Sequence, residues 1–203
     1  MGSIYGGISM KVNKWIVICL LMVFFTGCAT WKPIKEKNAL WEFGDFRARL
    51  PVGWARTKTS GEILLLTRGG VYIEHISVSR TKTNKELPHS QKKITEDMLL
   101  REISQVVIDE ISLNQNFKNF KLLENKPVDL GGVGAFRMVC VFHNEDFAKY
   151  KSVIYGFLYK KKYYEIHYQA LEQHHFEKKL EAFDQFMDSF FFKLEDPESV
   201  GKK

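Results

Sequence analysis

The chain has 203 residues, of which 45% are hydrophobic, so it is long enough for one domain with a core. It carries 30 Lys and Arg against 24 Asp and Glu, which gives a formal charge of +6 at pH 7. These basic residues are dispersed, with no run longer than Lys160–Lys162, and we expect no nucleic-acid partner because nucleic-acid binding normally shows a denser basic stripe.

The first feature along the chain is an apolar stretch that ends in a cysteine. Lys11 and Lys14 supply a short basic start, residues 15–25 are apolar, and Thr26-Gly27-Cys28 follow. An apolar core of about eleven residues lies within the range of a secretory signal, and is shorter than the roughly 20 residues that a bilayer-spanning helix needs. The stretch therefore predicts export and disfavours a transmembrane anchor.

Residues 1–28 also resemble a bacterial lipoprotein signal, although that pattern usually has leucine where this chain has Phe25. The resemblance implies diacylglycerol on the Cys28 sulfur, cleavage before Cys28 and acylation of the new amine. It also implies a lipid-anchored protein of the cell envelope. Ala29 follows Cys28 where an aspartate would be a sorting signal, and this absence of aspartate resembles the outer-membrane sorting pattern of bacteria with two membranes. It implies a protein at the outer membrane that faces the periplasm. We expect residues 1–27 to be the signal peptide (with Met10 as an alternative start) and residues 28–42 to be the lipidated N-terminus and a tether.

Cysteine usage fits this prediction without any disulfide. Cys19 would leave with the signal and Cys28 would carry lipid, so only Cys140 would remain in the domain. Its neighbours, Val139 and Val141, predict a small buried hydrophobe in a strand. Burial among apolar groups raises a thiol's pKa, so we do not expect Cys140 to be a catalytic nucleophile.

Residues 43–194 are predicted to form a single α/β sandwich domain, which begins with strands. Residues 46–50 alternate in polarity, and residues 62–67 and 71–80 read as two strands joined by the turn Arg68-Gly69-Gly70. A helix is predicted over residues 95–113, with Thr95 as its N-cap. Its apolar face is formed by residues at helical spacing, which are Met98, Leu99, Ile103, Val106, Val107 and Ile111.

The second half predicts a meander of strands closed by a helix. A strand over 120–124 precedes Pro127, and Gly131-Gly132 introduces a long strand with alternating faces. Strands over 150–159 and 163–170 flank a turn at Lys160–Lys162. The helix over 173–190 must pack on the sheet because its apolar residues form one stripe, namely Phe176, Leu180, Phe183, Met187 and Phe190. Residues 195–203 are predicted to be a polar tail.

This order of elements resembles the PsbP-like α/β/α sandwich over residues 43–193. The resemblance is carried by Leu50-Pro51-Val52-Gly53-Trp54, by residues 120–142 with their Gly131-Gly132 turn, and by Tyr163-Tyr164-Glu165-Ile166. It implies an α+β fold in which helices pack on an antiparallel β-sheet. Proteins of this family serve as binding or assembly modules, and the resemblance brings no catalytic residues.

Candidate reactive groups are few. The sequence has no H-E-x-x-H, G-x-S-x-G, P-loop or C-x-x-C motif, and Gly132-Val133-Gly134 is expected to be a turn. Glu165 and His167 share one face of a predicted strand, and His75 or His143 would approach them if the strands are neighbours. That cluster would favour a metal site, or a hydrolase if Glu74 joined it, but a solvated or capped polar patch is the default. We predict no catalytic residue, no metal and no cofactor.

The sequence thus favours a non-catalytic binding or assembly module, anchored to the membrane through Cys28 and bound to an envelope protein partner. The alternative is a carrier or sensor that binds a small apolar ligand against the tyrosine-rich strands over residues 150–168; a hydrolase is less favoured. A pocket lined by Tyr and Phe would favour the carrier, whereas a filled core with an exposed apolar patch would favour the binding module. Lys160–Lys162 is expected to be a solvated turn, with contact to anionic headgroups as the alternative.

Overall fold

The computed structural model describes residues 31–193, so the predictions for the signal peptide, for Cys28 and for the polar tail concern residues outside this range. The described residues form two helices, α1 (Leu100–Leu113) and α2 (Phe176–Asp188). They also form eleven strands, which are β1 Lys32–Pro33, β2 Leu40–Phe43, β3 Phe46–Arg49, β4 Ala55–Thr57, β5 Glu62–Thr67, β6 Glu74–Lys82, β7 Lys118–Leu130, β8 Val133–His143, β9 Lys149–Tyr159, β10 Lys162–Leu171 and β11 Phe191–Phe192.

The strands build two antiparallel sheets. The large sheet has eight strands in the order β1-β4-β5-β6-β10-β9-β8-β7, and the small sheet has three in the order β11-β3-β2. The hairpin between β9 and β10 turns at Lys160 and Lys161, which both have positive φ, as the sequence predicted. The fold class is therefore α+β, with helices packed on an antiparallel sheet.

Alternation along the strands places two separate cores on the two faces of the large sheet. Tyr164, Ile166 and Tyr168 of β10 belong to the core under α2, while Tyr163 belongs to the core under α1. Helix α1 packs on β7, β8 and β9, and α2 packs on β10 and on β3 of the small sheet. This confirms the predicted sandwich of helix, sheet and helix. Neither helix of the described part is long and apolar enough to cross a membrane.

The predicted apolar stripe of the closing helix packs on the core, with its phenylalanines buried and Leu180 and Met187 partly buried. Phe183 is only 1% exposed, and its ring stacks on Tyr168 with centroids 5.1 Å apart. Phe176, Phe186 and Phe190 lie in the same core. The sheet and α2 therefore share one aromatic core, which leaves the opposite side of α2 polar.

Both helices are shorter than the sequence predicted. Thr95 is not the N-cap of α1: its hydroxyl donates a hydrogen bond to Asp97, and α1 begins five residues later. The helix start is satisfied instead by Glu102, whose carboxylate accepts the backbone N–H of Leu99 at 2.8 Å. Helix α2 covers residues 176–188 of the predicted 173–190.

Two strand boundaries also differ from the prediction. Residues 71–73 do not extend β6, because the N–H groups of Ile73 and Glu74 both bond to the Gly70 carbonyl and form a tight turn. Residues 118–130 form one strand that runs through Pro127. A proline is tolerated there because β7 is the last strand of the sheet, so its outer side needs no ladder partner.

The predicted tether over residues 28–42 is corrected over its described part. Ile34 is 2% exposed and lies in the core under α2, and β1 and the greater part of β2 fall within the same segment. The hydrophobic gain from burying Ile34 holds this segment on the domain. The compact unit accordingly begins at Trp31 and not at residue 43.

Candidate functional site

A groove with a volume of about 740 Å³ opens beside α2, between the helix and the chain over residues 49–54. We call it the basic groove. One wall is α2, and the other is the chain over residues 49–54 together with the turn at 37–38 and Arg68. Its lining residues are Lys37, Asn38, Arg49, Leu50, Pro51, Val52, Trp54, Arg68, Lys178, Lys179, Glu181, Ala182, Gln185, Phe186, Asp188 and Ser189.

The wall at residues 49–54 is built by a tight turn over a buried tryptophan. Gly53 has φ +78°, a conformation that glycine adopts at little cost, and Trp54 behind it is almost completely buried. The Ile34 N–H donates to the Trp54 carbonyl at 2.8 Å, and the Gly53 N–H donates to the Ile34 carbonyl at 3.1 Å. The turn thus presents Val52, which is 48% exposed, at its tip.

Helix α2 supplies the second wall and is tied to the first. Phe186 fixes the helix because its ring is buried in the core, and Lys178 and Lys179 lie in the first turn on the groove side. At the other end the Arg49 N–H donates to the Ser189 hydroxyl at 2.9 Å, and this hydroxyl in turn donates to the Phe186 carbonyl. The groove is therefore a fixed feature of the fold.

The charge of the groove is positive, because cations outnumber carboxylates among its lining residues. Five cations line it, against the carboxylates of Glu181 and Asp188, which leaves a formal +3. Within residues 31–193 none of these cations forms an ion pair, whereas several cations elsewhere do, as in Arg80–Asp45 at 2.9 Å and Lys149–Glu172 at 2.6 Å. The five are Lys37, Arg49, Arg68, Lys178 and Lys179.

Exposed apolar side chains lie next to this groove on the outer face of the small sheet. Leu40 stands opposite Arg49 and Phe191 stands opposite Arg47, so each pair shares one face. Leu40 is 46% and Phe191 51% exposed, and both line a second, shallow groove of about 640 Å³. The α2 side of the domain thus combines exposed apolar groups with cations that have no ion-pair partner in the described part of the chain.

The structure brings together part of the predicted polar cluster, on the other face of the sheet. The rings of His75 and His167 lie 5.6 Å apart, edge to face, and the Tyr163 hydroxyl donates to Glu165 at 3.0 Å. Burial raises the pKa of Glu165 above its ordinary value. Burial, and then the neighbouring His75, lower the pKa of His167 to about 3. The histidine is neutral at pH 7, and its buried Nε2 has no hydrogen-bond partner among residues 31–193.

The grouping of Glu74 with Glu165 and His167 that the less favoured hydrolase would need does not form. Glu74 follows the alternation of β6 to the α2 side, where it is buried, accepts the Gly69 N–H at 2.5 Å and lies 3.5 Å from His175. His143 does not join them either. His143 lies on β8, opposite Lys149 of β9, and β9 separates β8 from β10. Among residues 31–193 no three His, Cys, Asp or Glu side chains are placed to hold a metal ion.

Cys140 is placed as the sequence predicted. It lies in β8 within the core under α1, where only 1% of its surface is exposed. Burial raises the pKa of the Cys140 thiol to about 12, so the thiolate is absent at neutral pH.

Within the described residues the aromatic rings of β9, β10 and α2 pack against one another in the core. Phe157 and Tyr164 are fully buried and stack at 5.5 Å, and Tyr168 is buried against Phe183. These rings fill the core that a carrier would need to keep open. The basic groove cannot be recognised in the sequence because its cations come from four distant segments. The one local signal was Lys178-Lys179, a basic pair where a helix N-terminus favours acids.

Comparison with known proteins identifies the fold. No protein-family model matches the chain, and no curated protein matches it. Among solved structures, the cyanobacterial PsbP (CyanoP) of Synechocystis sp. PCC 6803 superposes with a TM-score of 0.53 at 12% identity, over 83% of this chain and 96% of that one. LpqN, which is involved in cell envelope biogenesis of Mycobacterium tuberculosis, gives 0.54 at 10% identity, over 83% and 93%.

A third match is a protein of Bacteroides thetaiotaomicron, with a TM-score of 0.49 at 13% identity. It covers 80% of this chain and 50% of that one, so this chain spans half the length of that structure. The first two superpositions show that the fold is PsbP-like.

Proposed function

We propose that this PsbP-like domain is a lipid-anchored, non-catalytic binding or assembly module of the bacterial cell envelope. The observation that carries the proposal is the short distance along the chain between Cys28 and the folded domain, which begins at Trp31. Three residues of extended chain span at most about 11 Å. Lipid on Cys28 would therefore hold the domain directly at a membrane surface.

The arrangement of the polar residues supports binding without turnover. Catalysis needs a nucleophile, an acid or a metal held in a fixed geometry by its neighbours. Glu74 lies on one face of the sheet and Glu165 and His167 on the other, so the cluster that a hydrolase would need does not assemble. A binding module needs only a stable domain, a tether and one complementary surface, and the tether raises the effective concentration of a membrane partner.

The core favours this proposal over the carrier of a small apolar ligand. The tyrosines and phenylalanines of β9, β10 and α2 pack against one another, and apolar side chains are exposed at Leu40, Val52 and Phe191. An exposed apolar patch over a filled core is typical of an interaction surface. The envelope role of LpqN is compatible with the proposed location.

We further propose that the domain faces the periplasm from the outer membrane, with an envelope protein as its partner. Ala29, in the position where aspartate would retain a lipoprotein at the inner membrane, supports this placement. Dual acylation gives stable membrane attachment, whereas one chain gives marginal binding. The anchor would thus keep the module beside its partner.

The experiment compares Cys28→Ser with Cys19→Ser in cells labelled with palmitate. We expect the wild type and Cys19→Ser to incorporate lipid and mature, because Cys19 belongs to the removed signal. Cys28→Ser should incorporate no lipid and remain an uncleaved precursor. Normal maturation of Cys28→Ser would contradict the anchor, and turnover of a defined envelope substrate that is lost in Glu165→Gln would contradict the non-catalytic role.

A further inference from the structure

We infer that the basic groove docks on the anionic, phosphate-bearing headgroups of the membrane that holds the anchor. This inference rests on the proposed anchoring at Cys28. It adds that the membrane is a binding partner of the domain itself, through Lys37, Arg49, Arg68, Lys178 and Lys179.

One wall of the groove lies beside the start of the domain. Ile34 is hydrogen-bonded to both Gly53 and Trp54, so the first strand of the domain runs directly beside the turn that forms one wall. Cys28 precedes Lys32 by four residues, which span at most about 14 Å. An anchor on Cys28 therefore brings this wall close to the headgroups.

The net charge of the groove lining is positive. An anionic leaflet attracts clustered Lys and Arg that lie within about a Debye length of its surface. The groove gathers five such cations without an ion-pair partner among the described residues, and with only two carboxylates in its lining. A surface that kept this charge only for solubility would not need to concentrate it in one concave site.

The first turn of α2 carries Lys178 and Lys179. The N-terminal end of a helix carries partial positive charge, so two lysines there oppose the helix dipole. Positions that break a local preference are expected where function requires them. An anionic headgroup between the lysines and the turn at Val52 would relieve this repulsion.

Exposed apolar side chains accompany these cations. Val52, at the tip of the turn that lines the groove, is 48% exposed. Trp31 is not a lining residue of the groove, but it follows Cys28 by three residues in the sequence and is 38% exposed. Tryptophan suits the membrane interface because its ring is apolar and its N–H is polar. Apolar groups beside cations that have no ion-pair partner within residues 31–193 match a surface that touches headgroups and the upper acyl region, and suit an acidic protein segment less well.

The lysine turn that the sequence offered for this role is less suitable. Lys161 lies 3.7 Å from Glu96 and Lys162 lies 4.0 Å from Asp45, so each has a carboxylate nearby. This turn also lies at the opposite end of the β6–β10 pair from Arg68. With α2 toward the membrane, α1 on the other face of the sheet is left for a protein partner.

The test uses the full chain, purified from membranes in mild detergent and reconstituted into vesicles of phosphatidylcholine with or without phosphatidylglycerol. An amine-reactive reagent labels exposed lysines, and mass spectrometry measures each rate. We expect Lys178 and Lys179 to react several-fold more slowly only when phosphatidylglycerol is present. Exposed Lys85 and Lys121, outside the groove, serve as internal controls and should react equally in both vesicles.

A charge-reversed pair tests the same groove in another way. In Lys178→Glu/Lys179→Glu the acids suit the helix N-terminus, so α2 should persist, and circular dichroism checks this. We expect Lys37 to lose its protection in this variant and to keep it in the matched Lys85→Glu/Lys121→Glu variant. High salt should also remove the protection.

Several results would overturn the inference. Equal labelling of Lys178 and Lys179 in both vesicles would contradict it, and so would equal protection by soluble glycerol phosphate, which would indicate a free anion. Protection that follows a co-purified protein instead of the lipid would assign the groove to an acidic protein. The intact mass of the chain tests the lipid anchor separately. If the chain carried no lipid and Lys178 and Lys179 were still protected by phosphatidylglycerol, the proposed anchoring would be contradicted and headgroup binding by the groove would be supported.

Discussion

The backbone N–H of Arg49 donates a hydrogen bond to the hydroxyl of Ser189, 140 residues away in the sequence, at 2.9 Å. This bond joins the small sheet to the end of α2, and both residues line the basic groove. It follows that the groove keeps its shape only while α2 is held against β3.

We expect Ser189→Ala to lower the free energy of unfolding by about 0.5–1.5 kcal/mol, because the variant removes the acceptor of the partly buried Arg49 N–H. Urea unfolding measures the change. Ser112→Ala is the matched control, since the Ser112 hydroxyl makes a similar bond to a helix carbonyl but is exposed. An equal loss in both variants would show that the Arg49–Ser189 bond contributes nothing specific.

Phe183→Ala should cost about 3–5 kcal/mol of unfolding free energy, since its ring is 1% exposed and stacks on Tyr168. Phe191→Ala, at a site that is 51% exposed, removes the same side chain from the surface and should change stability by about 0.5 kcal/mol or less. Thermal or urea unfolding compares the two. A cost below roughly 1 kcal/mol for Phe183→Ala would mean that α2 does not close the core.

Ile34→Ala should lower the free energy of unfolding by about 2–5 kcal/mol, because Ile34 is 2% exposed within the core under α2. Lys35→Ala is the control, since Lys35 is exposed and has no partner in the described range. Urea unfolding of both variants measures the difference. If Ile34→Ala and Lys35→Ala changed the free energy of unfolding equally, the described part of residues 28–42 would act as a tether, as predicted from the sequence.

Stability should fall as the pH drops below the ordinary histidine value of about 6.5. His167 has a folded-state pKa of about 3, and burial lowers the pKa of His75 as well, so the unfolded chain binds more protons in this window. The stabilisation is complete above about pH 6.5 and is lost progressively toward pH 3.

Urea unfolding at a series of pH values measures this dependence. His167→Gln should weaken it, and His174→Asn, at an exposed histidine with positive φ, should leave it unchanged. Identical profiles for His167→Gln and the wild type would show that the buried imidazole is not the titrating group.

The sequence predicted the elements that depend on local pattern. The alternation in β8 and β10, the stripe of α2 and the Lys160–Lys161 turn each follow from residue spacing, and each is confirmed. The start of α1 was missed because Glu102, inside the helix, caps it in place of Thr95.

Features that depend on distant contacts could not be predicted in the same way. Gly156 is one example: a Cβ there would lie 2.2 Å from the Phe136 ring, which the sequence around residue 156 does not indicate. The basic groove is another, since its cations come together only when α2 packs beside β3. A cluster of Glu74 with Glu165, which the less favoured hydrolase would need, depended on strand order, and the alternation of β6 separates the two residues.

The central claim is that the domain is held at a membrane by lipid on Cys28. The most direct measurement is mass spectrometry of the N-terminal tryptic peptide from the envelope-purified protein. Because trypsin does not cut between Lys32 and Pro33, the account predicts a peptide of residues 28–35 that carries diacylglycerol and an acylated amine. An unmodified peptide of residues 15–35, uncut before Cys28, would contradict it.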